Sequence, residues 1–306
     1  EHYADESWPA VERRLEAELR SLGLEVQREA GRAKGSEERL AELGARATAH
    51  RALAAVRIEH RAGRRVVRVW LYEALTGKML LRRIETHVNT VVQRYADVAT
   101  MWDVVNEAIG DGKDGLLRDS VYSRTAGMDF IVTAFKAARA MDPDALLIYN
   151  DYNCHKPAKR EKLIELLTQL KKKGAPVDAY GMQGHVELGD DSISHLRETF
   201  AELRKLDMKV VVSELDIDVV TRGRWWAENG KYRDELSTYD PYKDGIPEEI
   251  QQKQIKQYVE LFKLFDEYSD IIERVSFWNL HDGQSWLNYF PWRRVNYPLL
   301  FDRNRR

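Results

Sequence analysis

A single cysteine, Cys154, stands in 306 residues, so no disulfide can close within the chain and no cysteine-based zinc site can form. An excess of one charge is also missing. The 48 Lys and Arg against 50 Asp and Glu leave a net charge of −2, which gives no electrostatic case for nucleic acid or an anionic membrane as partner. No run of about 18 apolar residues occurs, so no membrane span is expected. The opening residues Glu1 to Asp5 carry neither an initiator Met nor a basic-then-apolar signal peptide, and the residues themselves name no compartment. His60, His87, His155 and His195 fall at no ligand spacing, so no metal is expected. What remains is a chain that is 43% hydrophobic and 32% charged, enough apolar material for either one large domain or two ordinary ones, with charged helix surfaces.

From about residue 78 onward the apolar pattern alternates between two periods. Leu80, Leu81, Ile84, Val88 and Val91 recur at helical spacing over 78–95. Helices are likewise expected at 130–141, 158–173, 192–206 and 248–267. Between them lie short apolar runs read as strands: 99–105, 145–149, 177–182, 209–215 and 274–278. Strands of near-continuous apolar character separated by helices imply parallel pairing beneath helical cover. Residues 1–77 are less regular. A helix is expected at 8–22, a strand at 24–29, mostly helix over 36–61 and a strand over 65–72. A rival reading pairs 55–60 with 66–72 as a hairpin across Ala62 and Gly63; helix-then-strand is the preferred one.

Two of the strands end in a glutamate: Met101-Trp-Asp-Val-Val-Asn-Glu107 and Val210-Val-Val-Ser-Glu214. A carboxylate at the tip of a buried strand is a costly placement, and two of them suggest the carboxylate pair that glycosidic cleavage needs. They lie 214 − 107 = 107 residues apart, close to three units of a (β/α)8 barrel at about 31 residues each. Strands three apart in a closed barrel aim at one cleft, so the expected fold is an α/β (β/α)8 TIM barrel with an atypical N-terminal third, a single catalytic domain over 1–306. Other strands end in Tyr149-Asn-Asp-Tyr-Asn153, Gly181-Met-Gln-Gly-His185 and Phe277-Trp-Asn-Leu-His-Asp-Gly-Gln-Ser-Trp286. Polar and aromatic residues thus collect where barrel sites form. Taken alone, Trp278 reads as a core residue. Trp225 and Trp226 either line the cleft or staple their loop.

In order and spacing these segments resemble glycoside hydrolase family 10, the retaining endo-β-1,4-xylanases: Trp-Asp-Val-Val-Asn-Glu-Ala, Asn-Asp-Tyr-Asn, Gln-Gly-His, Ser-Glu-Leu-Asp-Ile and Phe-Trp-x-x-x-Asp-Gly-x-Ser-Trp-Leu. The likeness runs from about residue 76 to Asp302. It implies Glu107 as general acid/base, Glu214 as nucleophile and His185 as the imidazole that holds the nucleophile. It further implies Asn106 and Gln183 against the sugar beside the nucleophile, Trp278 and Trp286 as aromatic walls, and Asn150 and Tyr152 on the leaving-group side. Xylan or xylo-oligosaccharides would be the substrate, no cofactor is called for, and a monomer is expected. The resemblance also favours an extracellular setting.

The likeness has gaps. The family's Glu-Asn-x-x-Lys and His-Thr-Leu-Val-Trp-His segments, which grip sugar on the non-reducing side of the cut, are absent. Arg68-Val-Trp-Leu-Tyr-Glu73 stands where the second belongs, and the closing helix expected after Asp302 does not follow. The alternatives to a xylanase are a related barrel β-1,4-glucanase, or a weakly active or non-catalytic xylo-oligosaccharide-binding scaffold.

Overall fold

The computed structural model describes the backbone of residues 54–60, 67–73, 76–112 and 115–305, together with Arg13, Arg14, Glu16, Ala17 and Arg20. The chain divides into two compact units, Glu1–Thr76 and Gly77–Arg306.

In the first unit the expected helix at 8–22 is met by helical backbone at the five described positions, with Arg20 donating to the Glu16 carboxylate one turn earlier at 3.0 and 3.2 Å. The expected strand at 24–29 lies outside the described residues, as does the expected helix over 36–53. Over 54–60 the preferred helical reading is overturned. Strands β1 (Ala54–His60) and β2 (Val67–Glu73) pair antiparallel. The physical reason is register: the backbones pair Val56 with Leu71 and Ile58 with Val69. Period-2 apolar cross-strand pairs of this kind outweigh the helix preference of the intervening Ala, Arg and Glu residues.

The second unit holds the alternation expected from the sequence. Its long helices are α1 (Thr76–Tyr95), which begins at the unit boundary, α2 (Asp129–Met141), α3 (Pro157–Lys172), α4 (Ser192–Lys205) and α5 (Glu248–Glu267). Between them run β3 (Met101–Asn106), β4 (Leu146–Asp151), β5 (Ala179–Met182), the short β6 (His185–Glu187), β7 (Lys209–Asp218) and β8 (Ile272–Phe277). All pair parallel, in the order β3-β4-β5-β7 with β6 and β8 each against β7. The apolar runs explain this. Leu147, Ile148 and Tyr149 are all buried, as are Val210, Val211 and Val212, which is the pattern of strands covered on both faces. Outside the sheet, Phe135, Leu163, Leu166, Leu170, Leu196, Phe200, Leu203, Leu261 and Leu264 form the helix-side core.

Candidate active site

Parallel pairing sets all the strand ends on one edge, and the register decides which residues meet there. Asn106 pairs with Asn150, and Asn150 with Gly181. Gln183, two residues past Gly181, then reaches back over this edge. The Asn106 Oδ1 accepts from Asn150 Nδ2 at 3.0 Å and from Gln183 Nε2 at 3.4 Å. The same Asn150 amide donates to Glu214 Oε1 at 3.0 Å, and the same Gln183 amide donates to Glu107 Oε1 at 3.0 Å. Glu107 and Glu214 are therefore tied into one chain of side-chain amides centred on Asn106.

Each carboxylate has a further partner on its other oxygen. Glu107 Oε2 lies 3.3 Å from the Arg118 guanidinium, in a partly exposed pair. Glu214 Oε2 lies 3.2 Å from His185 Nε2, whose Nδ1 is 2.9 Å from Asp216 Oδ1. Burial alone would lower the pKa of this imidazole, but Asp216 and then Glu214 override it and push it up to about 9. At neutral pH the ring is thus an imidazolium donating to both carboxylates. Asp216 is fully buried and takes a second hydrogen bond from Trp286 Nε1 at 2.8 Å. The Trp286 ring also lies 4.9 Å from the His185 ring and 5.0 Å from the Arg222 guanidinium.

The residues singled out in the sequence do not all stand alike. Asn106 is exposed on the edge, and Gln183 is buried just below it. Asn150 is only 2% exposed, with its Oδ1 taken by the Ser213 hydroxyl at 2.7 Å, so it lies beneath the carboxylates instead of on a wall. Tyr152 donates to Asp111 and accepts from Arg118 at 2.9 Å, with Lys159 Nζ 3.5 Å from its ring centre. Trp278 is 44% exposed, so the core reading fails for it, while Trp286 is half-buried. Trp225 stacks on Trp292 at 5.3 Å and packs with Val219, Val220 and Leu236, stapling its loop. Trp226 faces solvent against Phe290.

Sequence reasoning passed over Asp216, Arg118, Ser213 and Asp111. Asp216 was within reach, because two residues beyond Glu214 on a strand means the same face. Arg118 carried no such signal, since it arrives from the loop after β3. Among the described residues no cluster of His, Cys, Asp and Glu could hold a metal ion.

A family model described as glycosyl hydrolase family 10 matches residues 66–306. The chain belongs to that family. An endo-1,4-beta-xylanase B from Paenibacillus barcinonensis is 39% identical over 239 residues, 76% of this chain and 68% of that protein. An endo-1,4-beta-xylanase from Geobacillus stearothermophilus is 37% identical over the same shares. Among solved structures, a family 10 endoxylanase retrieved from a sugarcane soil metagenome is similar with a TM-score of 0.68 at 37% identity, over 76% of this chain and 66% of that one. A mutant solved in complex with xylotriose gives a TM-score of 0.68 at 34% identity, over 77% and 68%. The chain thus spans about two thirds of the length of these relatives. Family 10 neighbours are TIM barrels, and this chain has their α/β fold with its parallel sheet. The antiparallel hairpin β1–β2 makes its N-terminal third atypical.

Proposed function

We propose that this chain is a retaining endo-1,4-β-xylanase, hydrolysing internal bonds of xylan by double displacement. The observation that carries the reading is the amide chain Glu107–Gln183–Asn106–Asn150–Glu214, with the His185 imidazolium on the far side of Glu214. It holds two carboxylates at one cleft in chemically different surroundings, which is what a division into acid/base and nucleophile needs.

In the first step Glu214 attacks the anomeric carbon while Glu107 gives its proton to the departing sugar oxygen. The glycosyl ester on Glu214 forms as the glycosidic C–O bond breaks. Glu107, now a carboxylate, then takes a proton from a water whose oxygen bonds to the anomeric carbon as the ester bond to Glu214 breaks, which frees Glu214 and releases the sugar with its configuration retained. The His185–Asp216 pair keeps Glu214 oriented for attack. Asn106 and Gln183 offer hydrogen bonds to the sugar beside the nucleophile. Trp278 and Trp286 give the pyranose C–H faces flat contact area, and Tyr152 borders the leaving-group side with Asn150 buttressing from below. Residues 1–306 would act as one catalytic domain.

Initial rates of reducing-sugar release from xylan test this, with carboxymethyl-cellulose as the competing substrate. Wild type should favour xylan, and Glu107→Ala and Glu214→Ala should each lose activity by about 10⁴-fold or more. Azide should partly restore Glu214→Ala, with a product of inverted configuration. Full activity of Glu214→Ala without an added nucleophile would end the proposal. A second reading, a xylo-oligosaccharide-binding protein of low turnover, draws on the absence of the two sugar-gripping segments. Binding by calorimetry without reducing-sugar release would favour it.

A further inference from the structure

Glu107 has a backbone φ of 55°, in the left-handed region that a side chain with a Cβ enters at a cost of about 1 kcal/mol. A residue is held there only when its surroundings over-determine the turn. Strand β4 does so with three hydrogen bonds in succession. The Glu107 N–H donates to the Asn150 carbonyl at 2.8 Å. The next two N–H groups, of Ala108 and Ile109, both donate to the Tyr149 hydroxyl at 3.0 and 3.1 Å. That hydroxyl is fully buried and donates to Asp151 Oδ2 at 2.5 Å. Asp151 also accepts from Ile109 N–H at 3.3 Å and from Tyr152 N–H at 2.8 Å, and pairs with Lys159 Nζ at 2.9 Å. Lys159 is itself nearly buried and reaches Asp111 at 2.9 Å.

The side chains of Tyr149, Asp151 and Lys159 make no hydrogen bond to the cleft amides, while the Asp151 carbonyl accepts from the Gln183 N–H at 3.2 Å, and the proposed cleavage chemistry makes no direct use of them. Three buried polar groups in series nevertheless end on the two peptide N–H groups that follow Glu107. An apolar Phe and a hydrophobic neighbour would fill the same space at less desolvation cost. Burial, and then the adjacent Asp151 charge, raise the Tyr149 hydroxyl well above its ordinary range, so it always has a proton to give to Asp151 and lone pairs free for the two N–H groups.

We propose that Tyr149, Asp151 and Lys159 form a buried positioning relay that fixes the turn carrying Glu107, and through it the efficiency of proton delivery to the leaving group. The inference rests on the assignment of Glu107 as acid/base. A misplaced acid damages departure of a basic leaving group and spares one that leaves unaided, because only the former needs a proton in the transition state. General loss of structure would slow both alike.

The test compares full-length wild type, Tyr149→Phe and Asp151→Asn on phenyl and dinitrophenyl β-xylobiosides, reading kcat/KM, with near-ultraviolet circular dichroism to verify the fold. The expected result is a loss of about tenfold or more on the phenyl substrate, with the dinitrophenyl rate within about twofold of wild type. Asp151→Asn keeps the size of the side chain and leaves Lys159 its Asp111 partner, so it carries the comparison if Tyr149→Phe does not fold. An equal fall on both substrates, or no fall on either in a folded variant, overturns the relay while leaving the enzyme assignment intact. Wild type that releases no reducing sugar from xylan overturns the assignment, and the relay with it.

Discussion

His185 stands between Glu214 and Asp216 at 3.2 and 2.9 Å, and its behaviour with pH follows from that placement. Its pKa in the folded protein is raised to about 9 from an ordinary 6.5. A raised value means the folded state binds the proton more tightly than the unfolded chain does. The stabilisation is therefore complete below pH 6.5 and is lost as pH climbs through 9. At about 1.4 kcal/mol per pH unit the difference amounts to about 3 kcal/mol. The melting temperature of the wild type should accordingly fall between pH 6.5 and pH 9.5, and His185→Gln should flatten that part of the profile. Parallel profiles for the two proteins would show that the imidazolium contributes nothing. Glu107 and Glu214 stood out in the sequence because strand-end carboxylates are conspicuous against apolar runs, and His185 was singled out by the family resemblance. The raised pKa was hidden there, since it depends on Asp216 being buried on the same face of β7.

Between elements, the distance from β4 to β5 is set by a glycine. A methyl group at Gly181 would overlap Asn150 Oδ1 and lie 2.8 Å from Ile148 Cγ2. Asn150 is the residue that links Glu214 to Asn106, so an alanine here forces the strands apart under the cleft. Gly181→Ala should cost about 1–3 kcal/mol in urea unfolding, and should lower kcat/KM on xylan by about tenfold through the displaced amide. Wild-type kinetics in that variant would mean that Asn150 plays no part in orienting Glu214. Beyond β7 the loop is pinned by charge. Asp218 and Arg294 are both fully buried and 3.0 Å apart, and Arg222 Nε lies 2.7 Å from the same carboxylate. Asp218→Ala removes the carboxylate that the two buried guanidinium groups share. It should cost about 3–5 kcal/mol, seen as a lower urea midpoint, and a loss below about 1 kcal/mol would show the pair to be solvent-compensated. The helices and parallel strands of 77–306 were legible because they repeat one pattern, buried strand then amphipathic helix, at nearly constant spacing. The β1–β2 hairpin was misjudged because its two signals compete: Ala, Arg and Glu favour helix locally, while Val56, Ile58, Val67, Val69 and Leu71 match only after pairing.

For the molecule as a whole, the cutting groups and the sugar grip are unevenly written. The residues proposed to break the bond all lie in 106–286, within the unit Gly77–Arg306, whereas the two segments expected to hold sugar on the non-reducing side do not occur in the sequence. Binding energy from remote sugars is what an endo-acting enzyme uses to position its bond for attack. With the two gripping segments missing from the non-reducing side, a short oligosaccharide on the proposed reading should settle with more of its sugars on the leaving-group side. Xylohexaose labelled at its reducing end should therefore be cut close to its non-reducing end, yielding long labelled fragments in excess of short ones at early times. Because the substrate is neutral and the chain carries a net charge of only −2, this product ratio should change by less than about twofold between low and high salt. A cut at the centre of the chain, with equal fragments, would mean that other residues of this protein supply the missing grip.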